Sequence, residues 1–157
     1  MTTGRHLRKI RTYLRMAQEL ATLSTCRRLH VGAILLRENG SIGGVGYNGA
    51  LPGAPHCNTE TCNPSVRCLN TRHAERSALD YSEGPVRVAC VTHEPCRRCT
   101  LDLIARGVRA IYWVHPYRSE GDDERAAKRR ALDSHSVLFE QVDPTEDPDA
   151  ELAAEEP

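Results

Sequence analysis

Apolar residues recur at steps of three and four through Leu7, Ile10, Leu14, Ala17, Leu20 and Ala21, which predicts an amphipathic helix over Arg5 to about Ser24. Arg8, Arg11 and Arg15 fall on its other face. Two short apolar runs follow, Val31 to Leu36 and Ile42 to Tyr47, with Glu38-Asn39-Gly40 between them. Asn-Gly between two such runs predicts a β-hairpin. From Asn48 to Arg72 neither period continues, and Gly, Pro, Asn and Thr predominate. A loop of that length inside one domain is usually functional or tied down. The pattern then predicts a helix from about His73 to Tyr81, a strand over Val86 to Thr92, a helix from Cys96 to about Arg106 and a strand over Val108 to Val114, with Gly107 as a helix stop. Asp122 to Asp133 reads as a helix with acids in its first turn and Lys128, Arg129 and Arg130 further along, and Ser136 to Val142 as a last strand. There is no internal repeat.

At 157 residues the chain suits one domain with one core. With one Phe and one Trp, that core must rest on Leu, Ile, Val and Ala, as in a layered α/β domain. Charge is unevenly spread. Seven acids and no Lys or Arg lie between Asp143 and Glu156, with Pro144, Pro148 and Pro157 interspersed. Residues 143–157 are therefore expected to be a solvated, disordered tail on a domain spanning 1–142. Setting the tail aside leaves a body with an excess of about seven positive charges, which favours anionic ligands, phosphate first and nucleic acid second.

The first fifteen residues are basic and amphipathic, with no apolar core of a signal peptide, and no run approaches a membrane span. A cytoplasmic setting follows as the expectation, the host cytoplasm for a viral chain. In that reducing environment seven cysteines point to metal or catalysis sooner than to disulfides.

Two motifs open the central helices: His73-Ala74-Glu75 and Pro95-Cys96-Arg97-Arg98-Cys99. Alone, each is weak evidence. Together, with a strand between the two helices, they match the established signature of zinc deaminases. Cys96 and Cys99, three apart on a helix, present both sulfurs to one tetrahedral zinc; His73 adds a nitrogen ligand and leaves a position for water. Two thiolates balance the double charge of the metal, and two helix N-termini favour them. Glu75 is then the general base and acid that moves protons between the water, the base ring and the departing ammonia.

On these motifs the chain resembles the cytidine deaminase-like superfamily, and within it the deoxycytidylate deaminase branch. The branch-specific segments are Ser24-Thr25-Cys26-Arg27-Arg28, Val31-Gly32-Ala33, Gly46 to Gly53, and His56-Cys57. The resemblance covers about Tyr13 to Val142. It implies a three-layer α-β-α sandwich around a mixed five-stranded sheet, and hydrolysis of dCMP to dUMP and ammonia, supplying dUMP for thymidylate synthesis. It further implies that Asn48 binds the deoxyribose hydroxyl, that Val31 lines the base pocket, and that Ser24, Arg28 and Tyr117 lie near the phosphate. Such enzymes are commonly homo-oligomers, often hexamers, and some respond to dCTP and dTTP. The chain departs from the branch at Arg76 and Ser77, where an aliphatic residue and Asn are usual, and at Thr100, Leu101 and Asp102, where Ala and Lys are common. A 5-modified cytosine nucleotide is an alternative substrate.

Cys26, Cys57, Cys62 and Cys68 cluster around the long loop, whereas Cys90 falls in a strand as a small apolar residue. Since several relatives carry a structural zinc here, the resemblance implies a second metal on these four thiols, with His56 as a substitute ligand. It would clamp a loop whose closure is otherwise entropically costly. Three rival readings share parts of the pattern: a tRNA adenosine deaminase, a free cytidine deaminase, and a non-catalytic zinc module that binds nucleic acid through Arg8, Arg11 and Arg15.

Overall fold

The computed structural model describes residues 4–57, 60, 62–63, 65 and 68–146. The elements run α1 (Gly4–Ala21), β1 (Gly32–Leu36), β2 (Ile42–Tyr47), α2 (Ala74–Asp80), β3 (Val88–His93), α3 (Arg97–Ala105), β4 (Ala110–His115), α4 (Asp122–Ser134) and β5 (Leu138–Gln141). All nine predicted elements are present. The five strands form one sheet in the order β2-β1-β3-β4-β5. β1 pairs antiparallel with β2 and β3, whereas β3/β4 and β4/β5 are parallel. This is the mixed five-stranded sheet that the family resemblance implies.

Alternation along the strands divides the core between the two sheet faces. Ala33, Leu35, Ala89, Val91 and Ile111 join Ala74, Ala78, Leu103, Ile104 and Leu132, so α2, α3 and α4 cover one face. Ile34, Leu36, Cys90 and Tyr112 join Ile10, Leu14 and Ala17, so α1 covers the other. Cys90 is fully buried there, where burial pushes its thiol up, as befits a packing residue.

Glycine sets how closely one helix can lie. A Cβ on Gly44 would stand 2.4 Å from the Ala78 carbonyl oxygen, and one on Gly46 would stand 2.4 Å from that of Ala74. The α2 backbone therefore rests directly on β2, a distance that no other residue type permits.

Two basic residues that the local pattern could only place on helices, Arg11 and Lys128, are buried. Arg11 is 2% exposed; it pairs with Glu146 and donates to the Asp143 carbonyl oxygen at 3.3 Å. Arg15 donates to the Pro144 carbonyl oxygen at 2.8 Å. Residues 143–146, the start of the acidic segment, are thus docked on α1, while its remainder, 147–157, lies outside the described residues. Lys128, read as a helix-dipole residue of α4, is 4% exposed. Among the described residues, no helix is long and apolar enough to cross a membrane.

Candidate active site

The carboxyl ends of β3 and β4, the start of β1 and the end of β2 meet at one rim of the sheet, where open α/β sheets characteristically place ligands. His73 is the N-cap of α2 and Cys96 the N-cap of α3, both with extended backbone angles. At an N-cap the side chain turns back over the helix end, so residues at the cap and two or three positions later can face a common point. This resolves the apparent conflict between His73 and Glu75, which would diverge deep within a helix.

The His73, Cys96 and Cys99 donor atoms all lie within 4.8 Å of one another. His73 Nδ1 is 3.3 Å from Cys99 Sγ and 3.6 Å from Cys96 Sγ. Tetrahedral zinc, with bonds of about 2.3 Å to sulfur and 2.0–2.1 Å to nitrogen, places such atoms about 3.6 Å apart. The donor set fits that metal in both type and spacing. The hydrogen bond between the two thiols holds Cys96 down, to about 3, and pushes Cys99 up.

Glu75, 4% exposed, lies beside this group. Burial raises its pKa above the ordinary carboxyl range, with the charge of His73 opposing the shift. A carboxyl held there exchanges protons closer to neutral pH, as a general acid and base requires.

A cavity of about 400 Å³, ample for a small ligand, opens above these residues. Of the sequence-predicted contacts, Val31, Asn48, Arg28 and Tyr117 line it. Ser24 is not among the described lining residues, and its hydroxyl accepts the Cys26 amide at 3.2 Å. The Asn48 side chain is committed on both atoms: Oδ1 accepts the Val31 amide at 2.8 Å, and Nδ2 donates to the Leu29 carbonyl oxygen at 2.6 Å. Its orientation is thereby fixed, leaving one N–H and one lone pair to offer a ligand.

Sequence reasoning missed His93, His115, Arg118 and Ser119, which also line the cavity. The two histidines are register partners at the last positions of β3 and β4, with ring centroids 5.0 Å apart. Their place at strand carboxyl ends was the available signal. Burial, aided by His115, depresses the His93 pKa to about 4. The departures at Arg76 and Asp102 explain each other, since Arg76 Nη1 lies 2.8 Å from Asp102 Oδ2 and ties α2 to α3.

The remaining cysteines are gathered more loosely. All seven are free of disulfides. Cys26 and Cys68 line the cavity, and Cys68 Sγ lies 3.1 Å from Thr71 Oγ1. After burial, the chief influence raising the Cys57 thiol is Cys68, with Cys26 and Cys62 contributing. Among the described residues, however, only His73, Cys96 and Cys99 form a group of three or more donors within 4.8 Å.

Fold and site together define a zinc-site α-β-α domain with a buried carboxyl beside the metal donors. The chain belongs to the family described as the cytidine and deoxycytidylate deaminase zinc-binding region, whose model matches residues 7–115. It is 40% identical to ComE operon protein 2 of Bacillus subtilis over 67% of this chain and 62% of that protein. It is 31% identical to the deoxycytidylate deaminase of Mycobacterium phage D29, covering 68% of this chain and 93% of the phage enzyme. The dCMP deaminase of cyanophage S-TIM5, solved in complex with dCMP and dUMP, superimposes with a TM-score of 0.67 at 27% identity, covering 83% of this chain and 94% of that one.

Proposed function

We propose that this chain is a zinc-dependent hydrolase that converts dCMP and water to dUMP and ammonia. The observation that carries the reading is the buried Glu75 carboxyl beside the His73, Cys96 and Cys99 donors, at the floor of a cavity whose wall includes Arg28, Tyr117 and Arg118. His73, Cys96 and Cys99 would hold the zinc, which would supply a Lewis acid able to bring the pKa of a water to roughly 7. Glu75 takes one proton from the attacking water and passes it to the ring nitrogen as the C4–O bond forms, then takes the proton of the new C4 hydroxyl and delivers it to the amino group as the C4–N bond breaks, which leaves the uracil carbonyl and ammonia. Val31 packs against the base, and the fixed Asn48 amide offers its spare N–H to the sugar hydroxyl. Arg28 and Arg118 supply positive charge for the phosphate, with Tyr117 beside them; Ser24 contributes by holding the Cys26 turn.

The same reading gives Cys26, Cys57, Cys62 and Cys68 a second, structural zinc. The nearness of Cys68, Cys26 and Cys62 to the Cys57 thiol, which each of them helps to raise, supports it, and elemental analysis tests it: two zinc ions per chain are expected, and one refutes it. A cytoplasmic homo-oligomer, a hexamer by the form usual among such enzymes, with control by dCTP and dTTP completes the reading. Sedimentation and dCMP saturation curves with either triphosphate check those parts.

Ammonia release is to be assayed with dCMP, 5-methyl-dCMP, dCTP, cytidine and an anticodon stem-loop, alongside an electrophoretic shift on DNA and RNA. Turnover of dCMP above all others is expected. Binding of nucleic acid without turnover would replace the enzyme with a zinc module, a reading the docking of Arg11 and Arg15 on residues 143–146 weakens.

A further inference from the structure

One side chain brings α4 to the active site. The Lys128 ammonium has three N–H donors and meets three acceptors: Glu94 Oε1 at 2.8 Å, the Pro95 carbonyl oxygen at 3.0 Å and Glu120 Oε2 at 2.5 Å. Each carboxylate then ties it to a different segment beside the cavity. The other oxygen of Glu120 accepts the amide of Arg97, the first residue of α3, whose N-cap Cys96 makes no side-chain capping bond of its own. Glu120 thus caps, from another segment, the helix that carries two of the metal donors. Glu94 Oε2 accepts the Tyr117 amide at 3.3 Å, and the Glu94 amide donates to the His115 carbonyl oxygen at 2.8 Å.

Lys128 and Glu120 are both more than nine-tenths buried, and none of the three charged groups moves a proton in the proposed chemistry. Burying such charges is costly unless their geometry is well satisfied, so the network is not an incidental surface pairing. It spans the metal end of the cavity, at Cys96, and the wall formed by 116–119. A nucleoside monophosphate must meet both ends at once, with its base at the metal and its phosphate at the wall. A nucleoside without phosphate depends on the metal end alone.

We propose that Lys128 is a specificity-determining positioning residue. Through Glu120 and Glu94 it fixes the span between the α3 terminus and the Tyr117–Ser119 wall, and so confers preference for the 5′-monophosphate over the free nucleoside. This rests on the dCMP reading of the cavity. The test compares the full-length chain with Lys128→Met and Glu120→Gln, each assayed on dCMP and deoxycytidine in the same preparation. The ratio of the two kcat/KM values is independent of the folded, zinc-loaded fraction. That ratio is expected to fall about tenfold or more, the lower end of what loss of such supporting contacts costs. Affinity for dUMP, measured by calorimetry, should weaken in parallel, with zinc per chain unchanged.

Equal losses on both substrates, with dUMP affinity unaltered, overturn the proposal and leave Lys128 a stabilising residue. If Lys128→Met does not accumulate as soluble protein, Glu120→Gln decides by the same ratio, since it keeps the size of the side chain and removes the charge. A wild-type chain that favours dCMP while both variants keep that preference refutes this inference alone. One that shows no preference for dCMP over deoxycytidine refutes the substrate reading and the inference with it.

Discussion

Two groups of candidate metal donors lie at or near one cavity and are built in opposite ways. His73 and Cys96 cap helices rooted in the core and Cys99 stands in the first turn of one, with Ala74, Ala78 and Leu103 fully buried behind them, and their donor atoms are close enough to share one ion. Cys26, Cys57, Cys62 and Cys68 come from segments between the helices and strands; Cys26 is buried and the other three half-buried, and their sulfurs do not close to the same spacing. The first set is preorganised by packing. In the proposed second site a zinc would cross-link the 48–72 loop, whose ends already meet in the Gly49–Arg72 bridge, and so offset part of the entropy of holding it.

That contrast can be tested by experiment. The large effects fall on the catalytic group: Glu75→Gln should lower kcat by about 10²- to 10⁴-fold, the usual contribution of a general acid and base, while zinc analysis shows the metal retained. Near-normal turnover with metal bound would remove Glu75 from the chemistry. Cys99→Ser should abolish turnover by losing the catalytic zinc, yet leave far-UV circular dichroism unchanged, since packing and not metal builds α3. A collapse of helicity would show that the helix-borne site is no more preorganised than the loop.

Gly46→Ala probes the packing itself. Its Cβ must displace the Ala74 carbonyl, so thermal or urea unfolding should show a loss of about 1–3 kcal/mol, typical of overpacking, together with weaker activity. Cys68→Ser is expected to do the reverse: little change in global unfolding, one zinc fewer per chain, and faster proteolysis between residues 48 and 72. Resistance to protease equal to wild type would show that the loop needs no clamp.

The smallest effect concerns pH. His93 has its pKa depressed by burial to about 4, so between roughly pH 6.5 and 4 the unfolded chain binds a proton that the native state does not. Stability should therefore be fully present above about pH 6.5 and decline as pH falls through that window. After discounting for the partial exposure of the ring, the contribution is no more than about 1 kcal/mol. Melting curves of His93→Gln against wild type should converge towards pH 4 and separate near pH 7.

What the sequence revealed follows the same division. The order of elements and the catalytic donors were legible because they depend on local periodicity, turn residues and spacing. Ile42–Tyr47 matched residue for residue, since Asn39-Gly40 and a clean apolar run mark the hairpin. His73 and Cys96 were assigned to helices and proved to be the caps just before them, a shift of one residue that matters because caps aim side chains differently. The strand predicted from Val86 begins at Val88: Val86 is apolar because it is buried in the core, outside any strand. Arg11 and Lys128 were illegible for a common reason. The partners that neutralise Arg11 lie more than 130 residues away, and those of Lys128 lie on other segments, whereas a local pattern shows only that a basic residue occupies a helix. The Arg76–Asp102 pair was visible as two separate oddities and became one feature only when α2 and α3 were packed.

The backbone seat of α2 on Gly44 and Gly46 bears on how such an enzyme can change over evolutionary time. His73 and Glu75 are placed by a helix whose contact with its sheet is main chain on glycine, so no graded series of larger or smaller side chains exists there to move them in small steps. Drift in substrate preference must instead be written in the segments that leave this contact untouched, chiefly 116–119 and the 48–72 loop. A laboratory search for altered base or phosphate selectivity is best confined to libraries in those two stretches.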